Sequence, residues 1–210
     1  MTELIVALDF DDAGEAADLA GLLYREVGVG FFKIGARVLM HPYSADLIDY
    51  LSDYDLMLDF KLYDTHDTVA ATAARAFALG ARFLTVHATP SMLAAAMAAK
   101  TDERQKVLAV SLLTDSVGLS IFIPSRDHAD GLISPVDVAK SIMWSYDGLI
   151  VCPGIRPMTI SSEIVGSHIN PATPAEARAA GADYVVVGRP IIAAADPVAA
   201  ARAIMEELKG

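Results

Sequence analysis

Cysteine is nearly absent from this 210-residue chain. The one thiol, Cys152, excludes an intrachain disulfide and a cysteine-bound metal cluster. Basic residues are also scarce, 16 against 27 acidic ones. The net charge of −11 argues against a nucleic-acid partner, because such a surface repels phosphate backbones. It leaves room for a small phosphorylated ligand held by a local cationic site. No apolar run reaches the roughly 18 residues of a membrane span. The start, Met1-Thr2-Glu3-Leu4, has neither the basic residues nor the apolar stretch of a secretory leader. A cytoplasmic location is therefore expected. No tract rich in Gly, Ser or Pro divides the chain, so one domain over residues 1–210 is expected.

What the chain does contain is a repeated alternation. Short apolar runs occur at Leu4–Phe10, Phe31–Gly35, Leu56–Leu62, Phe83–Ala88, Val107–Leu113, Leu149–Gly154 and Tyr184–Pro190. Their length and their Val, Ile, Leu and Phe content predict strands buried on both faces. Helical patterns over Ala13–Val27, Asp67–Leu79, Met92–Lys100, Pro135–Trp144, Pro174–Ala180 and Pro197–Leu208 separate them. Strand-then-helix order means parallel strands with right-handed crossovers. At this length the pattern predicts a (β/α) barrel or a doubly wound sheet. Seven strands are legible where a full barrel needs eight. Leu119–Pro124 is the one further candidate, in what reads as a loop.

In such folds the polar residues at the C-terminal strand ends line the active site. Those ends supply Asp9, Lys33, Asp59, Lys61, Asp64, His87, the Thr114-Asp115-Ser116 stretch, Pro153-Gly154-Ile155-Arg156-Pro157 and Gly188-Arg189-Pro190. The densest group is Leu58-Asp59-Phe60-Lys61-Leu62-Tyr63-Asp64. Residues two apart on a strand share a face, so Asp59 and Lys61 point together into the enclosed interior. A structural ion pair is the plain alternative for a lone Asp-x-Lys. Lys33 and Asp64 converge on the same region, and apolar packing usually stabilises as well as buried charge. The array therefore reads as functional. Gly188-Arg189, after the last strand and before a helix, suits a phosphate: glycine lets the backbone approach, and the guanidinium fork grips oxygens. His87 reads as a structural histidine. His41, His66, His128 and His168 lack metal-ligand spacing, so no metal site is expected. The Asp9, Asp11 and Asp12 cluster reads as a solvated turn more readily than as a metal site, and Trp144 as packing.

These residues resemble a known family. Asp59-x-Lys61-x-x-Asp64, within LDFKLYDTHDTV, is similar to the D-x-K-x-x-D signature of orotidine 5′-phosphate decarboxylases. LIVALDF, FFKIG, FLTVHA, PGIRP and GADYVVVGRPI match further blocks in the same order. The resemblance implies a (β/α)8 barrel of the TIM type, shortened here by about one βα unit before PGIRP. It implies a cofactor-free lyase that converts orotidine 5′-monophosphate into uridine 5′-monophosphate and carbon dioxide in pyrimidine biosynthesis. Lys33, Asp59, Lys61 and Asp64 match its catalytic array. Asp9 matches a ribose-binding residue, Ser116 a pyrimidine contact, and Pro153, Gly188 and Arg189 lie in the matching ligand-binding segments. It implies a homodimer in which Asp64 and Thr68 reach into the partner's site. Two positions depart from the pattern: Thr65-His66 stands where Ile-Pro is usual, and Gly166-Ser167-His168 replaces Gly-Asp-Gln, with His168 taking the glutamine's place. Related metal-dependent sugar-phosphate decarboxylases and hexulose-phosphate synthases share the D-x-K-x-x-D signature, although Lys33 and PGIRP argue against them. A nucleotide-binding protein without turnover is the alternative outside enzymes.

Overall fold

A computed structural model describes residues 1–111, 123–157 and 171–210. Eight strands form the sheet: β1 (Glu3–Ala7), β2 (Phe31–Gly35), β3 (Asp55–Leu62), β4 (Ala81–His87), β5 (Lys106–Val110), β6 (Gly131–Ile133), β7 (Leu149–Pro153) and β8 (Tyr184–Val187). Every neighbouring pair is parallel, and β1 pairs with β8, with Glu3 opposite Tyr184, so the barrel closes. Helices α1 (Ala13–Val27), α2 (Ala36–Leu39), α3 (Ser44–Leu51), α4 (His66–Ala78), α5 (Pro90–Ala98), α6 (Val136–Ile142), α7 (Pro174–Ala179), α8 (Arg189–Ile192) and α9 (Pro197–Lys209) follow the strands. Between β2 and β3 the sequence pattern had suggested no helix, and α2 and α3 lie there.

The expectation of a shortened barrel is corrected by β6. This strand has three residues, Gly131-Leu132-Ile133, and opens on a glycine, so it carries no apolar run long enough to read as a strand. Packing explains the glycine: a Cβ at Gly131 would lie 2.7 Å from both Leu149 Cβ and the Leu149 carbonyl oxygen. Side chains beyond the strand help to fix it. Asp130 accepts from Lys100 Nζ at 2.7 and 2.8 Å and from the Val107 N–H at 2.8 Å, tying β6 to the start of β5. The barrel closes without Leu119–Pro124, most of which lies outside the described residues.

Strand alternation sorts the apolar residues into two layers. Ile5, Ala7, Phe31, Met57, Phe83, Leu108, Val110, Ile133, Val151, Tyr184 and Val186 fill the barrel interior. The intervening positions, such as Val6, Phe32, Leu58, Leu84 and Val185, pack under the helices. Caps mark the helix starts: Asp12 accepts from the Glu15 N–H at 3.0 Å to open α1, and Thr173 with Glu176 forms a capping box on α7. Pro174 and Pro197 occupy the first turns of α7 and α9, as their spacing predicts.

Candidate active site

The interior positions continue past the apolar layer into a charged one at the C-terminal end. Asp9 follows Ala7, Lys33 follows Phe31, Asp59 follows Met57, and Thr85 and His87 follow Phe83, each by steps of two. Lys33 Nζ donates to Asp9 Oδ1 at 2.9 Å and lies 3.4 Å from Asp59 Oδ2. Lys61 Nζ donates to Asp59 Oδ2 at 2.7 Å. Asp59 therefore sits between two ammonium groups, and its other oxygen accepts from Thr85 Oγ1 at 2.9 Å. Lys33 is 9% exposed at its side chain and Asp59 13%, whereas Lys61 is 38% exposed and faces the mouth.

Burial alone pushes the Asp59 carboxyl up. The charges of Lys33 and Lys61, with hydrogen bonds from Lys61 and Thr85, outweigh burial and hold it below the ordinary carboxylate range. Asp59 is therefore a fixed anion at neutral pH. His87 is shifted down, first by burial and then by the Lys61 charge, which keeps its ring neutral there. Tyr63 meets that ring edge-on at 5.2 Å between centroids.

The backbone at Lys61 is unusual. Its φ of 48° makes it the one non-glycine residue in the left-handed region among the described residues. The β3–β4 register explains where this happens. Leu58 pairs with Leu84 and Leu62 with Val86, so Asp59, Phe60 and Lys61 face Thr85 alone. This bulge re-aims the Lys61 side chain, as bulges do beside active sites. Strand alternation predicts the shared face of Asp59 and Lys61, but the bulge delivers it.

The other anticipated residues divide into three groups. Near the array, Gly188 caps α8 beside Asp9: a Cβ there would lie 3.6 Å from Asp9 Oδ2. Arg189 begins α8 and is exposed, and Pro153 ends β7 half-buried. Away from the array within one chain are Asp64, which accepts from the Thr65 N–H at 2.6 Å, and Thr68, whose hydroxyl meets that of Thr65 at 3.0 Å. Ser116 and His168 lie outside the described residues, as do Thr114 and Asp115. The acidic cluster separates by role: Asp9 joins the array, Asp11 accepts from two of the Arg37 guanidinium nitrogens, and Asp12 caps α1. Thr85 was not singled out from the sequence. Its signal was available, because FLTVH puts it on the same face as His87. Among the described residues no three His, Cys, Asp or Glu side chains group as metal ligands.

A closed parallel barrel with a buried lysine–aspartate array at the C-terminal strand ends has the layout of a barrel enzyme. The comparisons narrow that class. Residues 2–204 match the model of the orotidine 5′-phosphate decarboxylase / HUMPS family, and the chain belongs to that family. It is 38% identical over 227 residues to an orotidine 5′-phosphate decarboxylase of Afipia carboxidovorans, covering 98% of this chain and 94% of that one. Identity to the Rhodopseudomonas palustris enzyme of the same name is 37% over 228 residues, with the same coverage. The crystal structure of the Lactobacillus acidophilus orotidine 5′-phosphate decarboxylase superposes with a TM-score of 0.77 at 30% identity, covering all of both chains.

Proposed function

We propose that this chain decarboxylates orotidine 5′-monophosphate to uridine 5′-monophosphate without a cofactor, with Lys61 as the acting cation. The observation that carries this reading is the Lys61 ammonium, held at 2.7 Å on a buried carboxylate yet open to the mouth. The bond from C6 of the pyrimidine to its carboxylate breaks, carbon dioxide leaves, and the electron pair stays on C6. Lys61 stabilises that charge and then delivers a proton to C6; the neutral amine regains its proton from water. Asp59 holds Lys61 and balances its charge, and Lys33 fixes Asp59 and Asp9 in place. Asp9 takes the ribose hydroxyls, and Arg189 with the Gly188 backbone takes the phosphate, whose binding energy serves the transition state. Pro153, Ser116 and His168 belong to the same ligand-binding surface.

The reading includes a homodimer, in which Asp64 and Thr68 of one subunit complete the site of the other. Their exposure, and that of Tyr63 beside them, supports it. Mixing Lys61→Ala with Asp64→Ala subunits should restore activity to mixed dimers; a mixture as inactive as its components would rule out the shared site. Among the described residues no helix is long and apolar enough to cross a membrane, and we assign the enzyme to the cytoplasm. The decisive assay follows the absorbance of orotidine 5′-monophosphate with and without a chelator. Turnover indifferent to chelation is expected. No turnover of the nucleotide, with chelator-sensitive turnover of a sugar phosphate instead, would favour the metal-dependent branch, and tight binding without turnover a nucleotide-binding protein.

A further inference from the structure

A bulge leaves backbone groups without ladder partners, and a buried N–H without one is costly. At β3–β4 the group concerned is the Lys61 N–H. It donates to Thr85 Oγ1 at 2.9 Å, and the Thr85 hydroxyl donates in turn to Asp59 Oδ1 at 2.9 Å. No other assignment of protons is open, because an amide must donate and a carboxylate must accept. Asp59 Oδ2 then accepts from Lys61 Nζ, which closes a ring. Lys61 is thus tied at both ends to one carboxylate, directly by its side chain and through Thr85 by its backbone. Thr85 is fully buried, and its branched Cβ restricts the hydroxyl to few rotamers.

From this ring, and resting on the decarboxylase reading above, we infer that Thr85 is a positioning residue: its hydroxyl holds Lys61 in the left-handed turn that aims the ammonium at the reacting carbon. A left-handed non-glycine residue persists only where its surroundings over-determine it. Here the surroundings are Thr85 below and Asp59 beside. Thr85 does not touch the substrate's reacting atoms, and it acts through Lys61 and Asp59. A barrel whose fourth strand carried valine at this position would keep its packing and lose the latch.

Thr85→Val tests this, with Thr85→Ser as the rescue. The valine variant should lose roughly 10–100-fold in kcat with KM changed less than about threefold, since misplacing a catalytic group by about 1 Å can cost 10²-fold. Serine should recover most of it. The acid limb should also move. Asp59 faces Lys33 from β2, Lys61 from its own strand, and Thr85 from β4, with Asp9 beyond Lys33 and His87 beyond Lys61. Losing the Thr85 donor raises the Asp59 carboxyl toward its ordinary value, so activity on the acid side should fail at a higher pH in the valine variant. A residue that only packs the interior would lower Tm and leave kcat and the acid limb in place. Wild-type kcat with an unmoved acid limb in Thr85→Val, or a serine variant as impaired as valine, overturns the inference. If the valine variant does not fold, Thr85→Ala removes the hydroxyl without adding bulk, and wild-type kcat there has the same force. The Asp59 carboxyl titration, followed by NMR in wild type and variant, needs no substrate. It judges the latch even if orotidine 5′-monophosphate proves not to be turned over, a result that would defeat the decarboxylase reading alone.

Discussion

Strand β3 carries an aspartate at each end of the barrel, and each is gripped by two cations. At the C-terminal end Asp59 lies between Lys33 and Lys61. At the N-terminal end Asp55 takes Arg82 at 2.5 Å and Arg104 at 3.0 Å. Both clusters sit at register shifts of the β3–β4 ladder, the lower one adding Arg82 on β4 and the upper one adding residues on β3. The differences separate a lock from a tool. Arg82 stacks over Phe31, Phe83 and Tyr184 at 5.2–5.9 Å and donates to the Tyr184 hydroxyl, so its planar fork has one geometry. The upper cations are lysines, compact ammonium groups on flexible stems. Only the upper bulge holds a residue in the left-handed region. The lower end also opens on a cleft of about 420 Å³ lined by Tyr24, Tyr54, Asp55, Arg82 and Arg104, but Asp55 already engages both of its arginines.

If this contrast is right, the two ends fail differently. Lys61→Ala should lose at least about 10⁴-fold in kcat, because one residue supplies both charge stabilisation and the proton. Its melting temperature should stay within a few degrees of wild type. Steady-state kinetics with a thermal melt checks both, and activity near wild type would remove Lys61 from the chemistry.

Arg189 tests the difference between a waiting cation and a locked one. It is exposed at the start of α8, and no side-chain hydrogen bond or ion pair holds it among the described residues. Arg189→Ala should lower kcat/KM about 100-fold, carried mainly by KM, in line with the roughly 1.5–3 kcal/mol of a hydrogen bond to a charged group. Inhibition by inorganic phosphate should weaken in parallel; an unchanged KM would take Arg189 out of the phosphate grip.

Arg82→Ala is the mirror experiment. The Asp55 pair is partly exposed, so its loss should cost about 2 kcal/mol, less than a fully buried pair. For a chain of this size that lowers Tm by roughly 4–8 °C. Turnover at 25 °C should be unchanged. A fall in kcat without a fall in Tm would erase the distinction between the two ends.

The structure holds more than a period-two reading of the sequence supplies. The interior positions of Asp9, Lys33, Asp59 and His87 follow from strand alternation alone. The turn at Lys61 did not, because no glycine marks it and a lysine gives no hint of a positive φ. Thr85 shares its face with His87, yet a buried threonine in a strand reads as ordinary β-propensity until its hydroxyl is seen between two partners. β6 was missed because its essential residue, Gly131, is one that sequence patterns assign to turns. Asp64 reads from its place after the strand as converging on the array, and Thr68 is legible only through family resemblance; a single chain leaves both outside the array. The lower lock was not read either, because Arg82 and Asp55 are 27 residues apart and no motif joins them.

The smallest effect sharpens the comparison most. At φ 48° an alanine strains the backbone by about 1 kcal/mol or more relative to glycine, which adopts that region freely. Glycine also costs up to about 1 kcal/mol in unfolded-state entropy, and the strain term is the larger where φ is positive. Lys61→Gly should therefore be more stable than Lys61→Ala, by a few tenths to about 1 kcal/mol, or roughly 1–4 °C in Tm. At Arg82 the backbone is not left-handed, so only the entropy term acts. Arg82→Gly should be less stable than Arg82→Ala by about 0.5–1 kcal/mol. Opposite signs at the two bulges would locate the stored strain in the upper one. The same sign at both would mean that the turn at Lys61 costs the fold nothing, and that the lysine needs no latch to stay there.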